Sequence, residues 1–388
     1  MTSNLLLFAF FLVASIHIGL PFAYFLVMSR YASKPGYGLE TNAGTNNDPM
    51  VTILVPTYNE ASVIRKKLEN INEIAYPKEK IQLILVDGAS NDNTVEISKQ
   101  VLKTTGLSGR VIEETERKGK SFGMNVALKQ ASGELVCISD AECFWDNNAL
   151  KNAVKYFSDP SIGSVSGVHE IIGSPRSLSV NVEHSYRSIY RMLRIAESKI
   201  HSTPIAEGEI QLLRRDSFHG FDTSVGGDDT SAALEVVEKG LRAITAEDVI
   251  FYEPTPSNWH SRFTQKIRRG QHVLQAFLSH RRLLFQQSIF SRIIFPMEFF
   301  LYVVNPMFFP PFIALLGLVI VSSFGFAVLA AVAVGLILLI RSTRSMFFTY
   351  LSNNVTMLAA FFQELKGNKQ LTWTKIDDTR SETVHVTC

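Results

Sequence analysis

Two long apolar segments enclose a polar region in this chain. Residues 5–28 contain no Asp, Glu, Lys or Arg, and as a helix with a rise of about 1.5 Å per residue they would extend about 36 Å. That length is enough to cross a bilayer core of about 30 Å. Residues 299–340 lack the same four residue types and are long enough for two crossings of about 20 residues each, with a turn at Ser322-Ser323-Phe324-Gly325. The pattern predicts an integral membrane protein.

The first apolar segment differs from a cleaved signal peptide, which is the alternative interpretation. No basic residue precedes the apolar run, and no small-x-small cleavage site follows it. We therefore expect residues 1–30 to form a first transmembrane helix. Residues 31–49, which are rich in Gly, Asn and Thr, are typical of a linker.

The C-terminal part of the chain, residues 281–388, is predicted to be helical and membrane-bound. We expect interfacial helices, transmembrane helices at about 300–322 and 324–341, and an interfacial or cytoplasmic tail. Residues 345–363 are apolar but are interrupted by a Ser-Asn-Asn triplet at 352–354. Polar groups are unfavourable where they face lipid, so an interfacial helix is favoured for this stretch, with a further crossing as the alternative.

Basic residues flank the predicted membrane segments and indicate their orientation. Two crossings after the polar region return the chain to the side that it left, so the flanking cations share one side: Arg30, Lys34, Arg281, Arg282, Arg292, Arg341 and Arg344. By the positive-inside rule that side is the cytoplasm. The polar region is therefore predicted to be cytoplasmic, on a protein of the cell membrane.

Within residues 50–280, short apolar runs alternate with segments that have helical spacing. The strand-like runs are VTILVP, IQLILVD, GRVIEE and ELVCISDAE, and the helix-like segments are EASVIRKKLENI, DNTVEISKQVL and GKSFGMNVALKQA. Continuous apolar strands between helices indicate a parallel sheet covered on both faces. We predict an α/β domain with a doubly wound, mostly parallel sheet, whose ligands would bind at the carboxyl ends of the strands.

Polar clusters follow three of these strands and would meet at that edge of the sheet. They are Pro56-Thr57-Tyr58-Asn59-Glu60, Asp87-Gly88 and Asp140-Ala141-Glu142. Two acids one residue apart face the same way in an extended segment, and their repulsion calls for a positive charge between them. No G-x-G-x-x-G follows a strand and no Walker phosphate loop occurs, which argues against a nicotinamide dehydrogenase or a P-loop enzyme.

Composition excludes little beyond this. The chain has 38 basic and 36 acidic residues, so its charge gives no support for nucleic-acid binding. The three cysteines, Cys137, Cys143 and Cys388, are odd in number and need no disulfide.

Six motifs occur in an order that resembles glycosyltransferase family 2: VPTYNE, VDGASNDNT, KGKSFGMNVAL, SDAE, GDDTSAALEVVEKG and QKIRR. Within that family the chain looks most like the membrane-embedded cellulose-synthase and hyaluronan-synthase-like branch. The resemblance covers roughly residues 50–275. It implies a GT-A fold, a nucleotide-sugar donor, a divalent cation (Mn²⁺ or Mg²⁺) and an inverting single displacement.

The resemblance implies a donor site along the polar edge of the sheet. Asp140 and Glu142 correspond to the family's metal-binding D-x-D, with Glu142 in place of the second Asp, and a cation held there offsets charge on the leaving diphosphate. The expected nucleotide-sugar contacts are Pro56, Thr57, Tyr58, Glu60, Asp87, Lys120, Asp140, Gln265, Arg268 and Arg269. Arginine suits a diphosphate because its planar fork can bond two oxygens at once.

On the acceptor side, the resemblance assigns Asp229 as the general base, which would take a proton from the acceptor hydroxyl. Plain helix capping by Asp228 and Asp229 is the alternative. Glu207, Gly208 and Glu209 match an acceptor-side loop, and Asp228 stands where the family has Glu. Arg269 replaces the Trp of the synthases' Q-x-x-R-W motif, which argues against a long-chain acceptor. His169, His184 and His260 are not assigned.

These features predict a metal-dependent, inverting, membrane-bound hexosyltransferase. The donor would be a UDP- or GDP-hexose, and the acceptor a lipid-linked one, either dolichyl or polyprenyl phosphate or a lipid-linked glycan, in glycan biosynthesis. A processive polysaccharide synthase is the alternative within the class. A non-catalytic membrane module that binds a nucleotide is the alternative outside it.

Overall fold

The computed structural model describes residues 2–39, 48–170, 178–253, 259–322 and 324–367. Its strands are β1 (Val51–Thr57), β2 (Ile81–Asp87), β3 (Ser108–Glu113), β4 (Leu135–Ile138), β5 (Phe144–Trp145), β6 (Ile162–Glu170), β7 (Gln211–Arg214) and β8 (Arg242–Tyr252). Its α-helices are α1 (Thr2–Ala14), α2 (Leu20–Ala32), α3 (Ile64–Glu73), α4 (Thr94–Thr105), α5 (Lys120–Leu128), α6 (Ala149–Lys155), α7 (Leu178–Ile200), α8 (Asp228–Glu238), α9 (Trp259–Ser279), α10 (Phe295–Phe299), α11 (Phe309–Ser322), α12 (Phe324–Leu339) and α13 (Arg341–Leu365).

The eight strands form one sheet with a parallel half and a mixed half, in the order β3-β2-β1-β4-β7-β6-β8-β5. Strands β3, β2, β1 and β4 pair in parallel, as the alternation of apolar runs and helices predicted. Strand β7 is antiparallel to both of its neighbours, β4 and β6, and β5 is antiparallel to β8. The α/β prediction is confirmed, whereas the antiparallel insertion of β7 was not indicated by the sequence.

Apolar cores cover both faces of the sheet because successive strand residues point to opposite sides. Ile53 of β1 belongs to the core beneath α3 and α6, and Leu54 belongs to the core on the other face. That second core also contains Phe290 and Phe295, both 0% exposed. A fully buried Phe contributes about 1.5–3 kcal/mol, so these side chains anchor the start of the second apolar helix in the sheet domain.

Among the described residues, two helices are long and apolar enough to cross a membrane, and a bent pair would make a third. The two are Asn4–Ala32, with 29 residues, and Phe290–Ser322, with 33 residues. The first continues from α1 to α2 through a π-helical turn at Ser15–Gly19. The bent pair is α12 with Thr343–Leu365, whose axes change direction by 107°.

Helix α13 contains the stretch for which the sequence favoured an interfacial helix. Tyr350 Oη lies 2.6 Å from Nε2 of His17, in the middle of the first apolar helix. At the other end, Glu364 accepts hydrogen bonds from Gln271 and Gln275 of α9 at 2.9 and 2.7 Å. Helix α13 thus contacts both the helix bundle and the sheet domain, and an interfacial helix and a further crossing both stay predictions for this stretch.

The same placement bears on two other sequence inferences. Asn354 is only 9% exposed, so an amide of the polar triplet faces protein instead of lipid, which removes the objection to a crossing. Arg341 lies at the end of α13 away from α9, as does Arg344, whereas the orientation argument put both beside the sheet domain.

Some predicted features lie outside the described residues. These are residues 40–47 of the expected linker, Ser323 of the expected turn, the side chain of His184, and the tail from residue 368 onward with Cys388.

Candidate active site

The carboxyl ends of β1 and β2 form the first part of the site. Thr57 and Asp87 are register partners at the ends of these strands, and Thr57 Oγ1 donates to Asp87 Oδ1 at 2.9 Å. The backbone N–H of Ser90 donates to Asp87 Oδ2 at 2.8 Å, and its hydroxyl donates to Oδ1 at 2.6 Å. Asp87 is 2% exposed, so three hydrogen bonds fix this carboxylate below the polar edge at the carboxyl ends of the strands. We call this edge the rim.

At the end of β4, Lys120 joins two of the predicted carboxylates. Its Nζ lies 2.8 Å from Asp140 Oδ1 and 3.3 Å from Asp228 Oδ2. Although burial opposes it, the neighbouring carboxylates, led by Asp140, raise the pKa of Lys120 above its ordinary value. Lys120 thus places an ammonium group between Asp140 and Asp228.

Strand β4 ends at Ile138 and residues 141–142 form a turn, so Asp140 and Glu142 do not extend from the strand as the sequence suggested. Arg268 is a cation that interacts with both of these acids.

Asp229, the predicted base, lies at the start of α8 and faces the loop before β7. Its Oδ2 accepts a hydrogen bond from the backbone N–H of Gly208 at 3.1 Å, and its Oδ1 accepts one from the N–H of Thr230 at 2.6 Å. A Cβ on residue 208 would lie 3.1 Å from Oδ2, so this close approach favours glycine. Burial, and then the charge of Asp228, raise the pKa of Asp229 to about 6.

The loop that contains Gly208 is held by ion pairs on both sides. Glu207 pairs with Arg194 of α7, and Glu209 Oε1 lies 3.2 Å from Arg269 of α9. Burial, and then the charge of Glu253, raise the pKa of Glu209 to about 7. The two glutamates predicted on the acceptor side thus fix the loop backbone that contacts Asp229.

Arg269, expected at the donor diphosphate, has a side chain that is 40% exposed and pairs with buried carboxylates. Besides Glu209, it pairs with Glu253 at 3.3 Å, and Arg187 pairs with the other oxygen of Glu253 at 3.2 Å. Burial by itself would raise the pKa of Glu253, but the charges of Arg269 and Arg187 outweigh that effect and lower the pKa. His169 hydrogen bonds the backbone carbonyl of Glu253 at 3.0 Å, so this histidine supports these ion pairs.

Most of the predicted site residues line one cavity of about 470 Å³. From the predicted set, its lining includes Pro56, Thr57, Tyr58, Glu60, Lys120, Asp140, Glu142, Glu207, Gly208, Glu209, Asp228, Asp229, Gln265, Arg268 and Arg269. Asp87 lies behind Thr57 and is not part of this lining. Burial, and then the charge of Arg269, lower the pKa of Arg268 to about 10.

The cavity continues from the rim into the apolar helices. Its far end is lined by His17 of the first helix, Asn305 of the second and Tyr350 of α13. His17 Nδ1 lies 2.9 Å from Asn305 Oδ1, and its Nε2 lies 2.6 Å from Tyr350 Oη. These three side chains, one from each helix, form a neutral hydrogen-bonded group. It lines the same cavity as Asp140 and Asp229.

The residues at Asp140 and Glu142 fit a divalent cation that is shared with a substrate. Among the described residues, no group of three or more His, Cys, Asp and Glu side chains is arranged to hold a metal by itself. Mg²⁺ in nucleotide sites is commonly bound by one or two carboxylates plus substrate phosphates. Two carboxylates that line the same cavity as Arg268 match that donor set.

Several side chains that shape the site were missed by the sequence reasoning. Arg117 stacks on the ring of Tyr58 at 3.7 Å. Lys67 is 0% exposed and donates to the carbonyl of Cys143 at 2.7 Å, which supports the chain just after Glu142. Helical spacing gave one usable signal: Arg187, Arg191 and Arg194 recur at intervals of four and three, which places them on one face of α7, and all three line the cavity.

Comparisons with known proteins identify the family and the fold. The model of glycosyl transferase family 2 matches residues 52–221. A mannosyltransferase from Pyrobaculum calidifontis, solved in complex with GDP-Man and Mn²⁺, is similar with a TM-score of 0.80 and 33% identity, covering 94% of this chain and 100% of that one.

Two curated relatives extend the comparison. A probable glycosyltransferase of Bacillus subtilis is 27% identical over 268 residues, which are 66% of this chain and 62% of the relative's own length. A Methanococcus voltae protein named dolichyl N-acetyl-alpha-D-glucosaminyl phosphate 3-beta-D-2,3-diacetamido-2,3-dideoxy-beta-D-glucuronosyltransferase is 23% identical over 245 residues, or 57% of this chain and 71% of the relative. The match thus spans about three-fifths of the Bacillus relative.

The mixed sheet and the polar rim at its carboxyl edge define a GT-A type protein with attached apolar helices. The chain belongs to glycosyltransferase family 2, as the order of its motifs predicted.

Proposed function

We propose that the protein is a membrane-bound, inverting glycosyltransferase that moves a hexose from UDP-hexose or GDP-hexose to a lipid-linked acceptor. The acceptor is dolichyl or polyprenyl phosphate, or a glycan attached to such a lipid. The sheet domain lies in the cytoplasm, where nucleotide sugars are made, and the apolar helices lie in the membrane.

On the donor side, the nucleoside binds beside Thr57, Glu60 and Asp87, and Arg268 and Lys120 face the diphosphate. Asp140 and Glu142 would hold Mn²⁺ or Mg²⁺, which offsets the negative charge that builds on the leaving nucleoside diphosphate. Lys120 Nζ, 2.8 Å from Asp140 Oδ1, adds a positive charge beside these carboxylates.

In the transfer step, the acceptor oxygen attacks the anomeric carbon, and the bond from that carbon to the diphosphate oxygen breaks. Asp229 accepts the proton of the attacking hydroxyl. With a pKa of about 6, this carboxylate is mostly ionised at neutral pH and retains more basicity than an ordinary aspartate. The Gly208 N–H orients it through a 3.1 Å hydrogen bond.

The lipid nature of the acceptor rests on one observation: the cavity that contains Asp140 and Asp229 also reaches His17, Asn305 and Tyr350 of the apolar helices. A lipid chain among the helices can therefore present its head group to the base. Arg269, where the synthases have Trp, is engaged with Glu209 and Glu253, which disfavours a polymer acceptor.

The test is a screen of UDP- and GDP-hexoses with Mn²⁺ or Mg²⁺ against extracted membrane lipids, with mass analysis of the product. One added hexose on a lipid that carries phosphate is the expected product. A ladder of sugar additions would instead identify a polysaccharide synthase. Failure to consume any nucleotide sugar, with or without lipid, would leave only a nucleotide-binding module.

The acceptor group can be resolved with the same assay. A phosphomonoester, whose second pKa is about 6, is mostly ionised at neutral pH and needs no base. Asp229→Asn should therefore abolish transfer to a sugar hydroxyl but spare transfer to a lipid phosphate. If activity with both kinds of acceptor is unchanged, Asp229 is not the base.

A further inference from the structure

Three helices bring polar side chains together at the boundary between the sheet domain and the apolar helices. Lys266 Nζ of α9 lies 3.4 Å from Asn353 Oδ1 of α13, and Asn353 Nδ2 lies 3.5 Å from Tyr190 Oη of α7. All three side chains line the cavity. Hydrogen bonds of this length are weak compared with the usual 2.9–3.0 Å, so a bound ligand can replace them at little expense.

This junction lies midway along the cavity. Arg269, at the rim, is one helical turn from Lys266 on α9, and Tyr350, which contacts His17, is one turn from Asn353 on α13. One turn is about 5.4 Å. The junction therefore lies about one helical turn from the charged rim and about one helical turn from the neutral hydrogen-bonded group among the apolar helices.

In a polyprenyl acceptor the phosphate lies between the isoprenoid chain and any attached sugar, just as the junction lies between the apolar helices and the rim. Its isoprenoid chain requires the apolar helices, the reacting oxygen requires Asp229, and the phosphate lies between them or is itself the reacting group. An ammonium, an amide N–H and a phenol O–H are all donors that phosphate oxygens accept. We propose that Lys266, Asn353 and Tyr190 form the binding subsite for the phosphate of the lipid acceptor, an assignment that rests on the proposed function.

Three arginines of the cavity wall are less suited to this role. Arg187, Arg194 and Arg269 are each paired with a buried or mostly buried carboxylate, namely Glu253, Glu207 and Glu209. A phosphate at those arginines would face the carboxylates at close range, and like charges repel strongly where water is excluded. At the junction the phosphate would meet the amide of Asn353 and the phenol of Tyr190 beside the ammonium of Lys266.

The test is calorimetric binding of farnesyl phosphate and farnesol to the full-length protein in detergent. We expect farnesyl phosphate to bind more tightly, and Lys266→Gln to weaken its binding about tenfold to a hundredfold, because one charge-assisted hydrogen bond is lost. Farnesol binding should not change. Asn353→Asp, which places a carboxylate at the same point, should also weaken the binding of farnesyl phosphate. Arg110→Ala, which removes an exposed cation bonded to Gln130, is the charge-matched control.

Other results would overturn the assignment. Equal affinity for farnesyl phosphate and farnesol would mean that no phosphate is recognised, and an equal loss in Arg110→Ala would mean that only net charge matters. If Lys266→Gln weakens the binding of GDP- or UDP-hexose instead of the binding of farnesyl phosphate, Lys266 belongs to the donor site. A sugar phosphodiester of farnesol distinguishes the two possible acceptors. If it binds as tightly as farnesyl phosphate, the subsite recognises the phosphate that links lipid and glycan. If it binds more weakly, the acceptor is a bare lipid phosphate.

Binding and activity fail separately in this design. If farnesyl phosphate shows the expected pattern but no hexose is transferred to any lipid, the subsite stands and the proposed reaction is wrong. If hexose is transferred to lipid but the Lys266 and Asn353 variants bind farnesyl phosphate as the wild type does, the reaction stands and the subsite is wrong.

Discussion

The two ends of the cavity bind polar groups in different ways. At the rim, charged side chains are matched by opposite charges, as Lys120 is by Asp140 and Asp228, and Arg269 by Glu209 and Glu253. At the helix end, His17, Asn305 and Tyr350 form a chain of hydrogen bonds without any formal partner charge. The same cavity therefore changes from ionic to neutral contacts along its length.

The difference follows from what surrounds each end. The rim is open to solvent and to a charged substrate, so a charge there can be partly solvated and later exchanged for a diphosphate or a cation. Among apolar helices an unpaired charge is far more unfavourable, and neutral side chains satisfy one another at lower energetic cost. The comparison supports the proposal that transfer takes place at the rim and that a lipid chain binds at the helix end. The following predictions test this proposal from the largest expected effect to the smallest.

The largest effect is expected at the rim, from the base. Asp229→Asn keeps the shape of the side chain but cannot accept the proton, so kcat for transfer to a hydroxyl acceptor should fall about 10²–10⁴-fold. Steady-state kinetics with the donor and acceptor from the lipid screen measure this. Asp216→Asn, in an exposed turn, is the control and should retain wild-type kcat. A loss of less than threefold in Asp229→Asn would show that the base lies elsewhere.

The second effect concerns the ion pair that supports the loop beside Asp229. Arg194 and Glu207 have side chains 13% and 19% exposed. Removing one member of a mostly buried pair leaves the other uncompensated, so Arg194→Ala should lower the free energy of unfolding by about 3 kcal/mol. Denaturant titration in detergent measures this. The double variant Arg194→Ala/Glu207→Gln should recover most of the loss, and if it does not, the pair is not what holds the loop.

How far the sequence could predict these two ends differs as well. The rim was largely predictable because each apolar run ends in a polar cluster, and parallel strands bring such ends together: Thr57 with Asp87, and Asp140 beside Lys120. The resemblance added Asp229, which the structure brings to the same cavity. The sequence did not indicate that Arg269 would be engaged by two glutamates, since Glu253 is sixteen residues from it and only the fold makes them neighbours.

The helix end was not predictable from local pattern. The triplet at 352–354 suggested a helix at the membrane surface because polar residues were assumed to face lipid. In the folded chain Asn353 faces Tyr190 and Lys266, and Asn354 is buried. Likewise His17 has no periodic partner in the sequence. Its partners, Asn305 and Tyr350, are 288 and 333 residues away, and such pairing follows only from tertiary packing.

The third prediction concerns the cation at the rim. In chelator, the donor diphosphate would face Asp140 and Glu142 without a compensating metal ion, so affinity for GDP- or UDP-hexose should be at least about tenfold weaker than in Mn²⁺. Calorimetry in EDTA and in Mn²⁺ measures the ratio. Asp140→Asn should reduce that ratio. Equal donor affinity in both buffers for the wild type would refute the assignment of these two carboxylates to a metal.

The fourth prediction uses the pKa of Asp229, which burial and Asp228 raise to about 6. The base acts only when it is ionised, so kcat/KM should be constant above that pH and fall about tenfold per pH unit below it. Asp228→Asn removes a like charge and should therefore move this acid limb to lower pH. A limb that moves to higher pH in this variant would contradict the assignment of the titration to Asp229.

The smallest effect is expected at the helix end, from a pair of identical substitutions. Tyr350→Phe removes a hydrogen bond to a neutral imidazole, and interhelical hydrogen bonds in membranes average about 0.6 kcal/mol. Tyr24→Phe removes the 2.7 Å bond to the carboxyl group of Glu197, which is 1% exposed. A buried acceptor that loses its donor costs about 1–3 kcal/mol. Unfolding free energies in detergent should rank Tyr24→Phe as the more destabilising. The reverse order would mean that a neutral contact at the helix end of the cavity carries more stability than a bond to a buried carboxyl group, which would contradict the energetic distinction between ionic and neutral contacts.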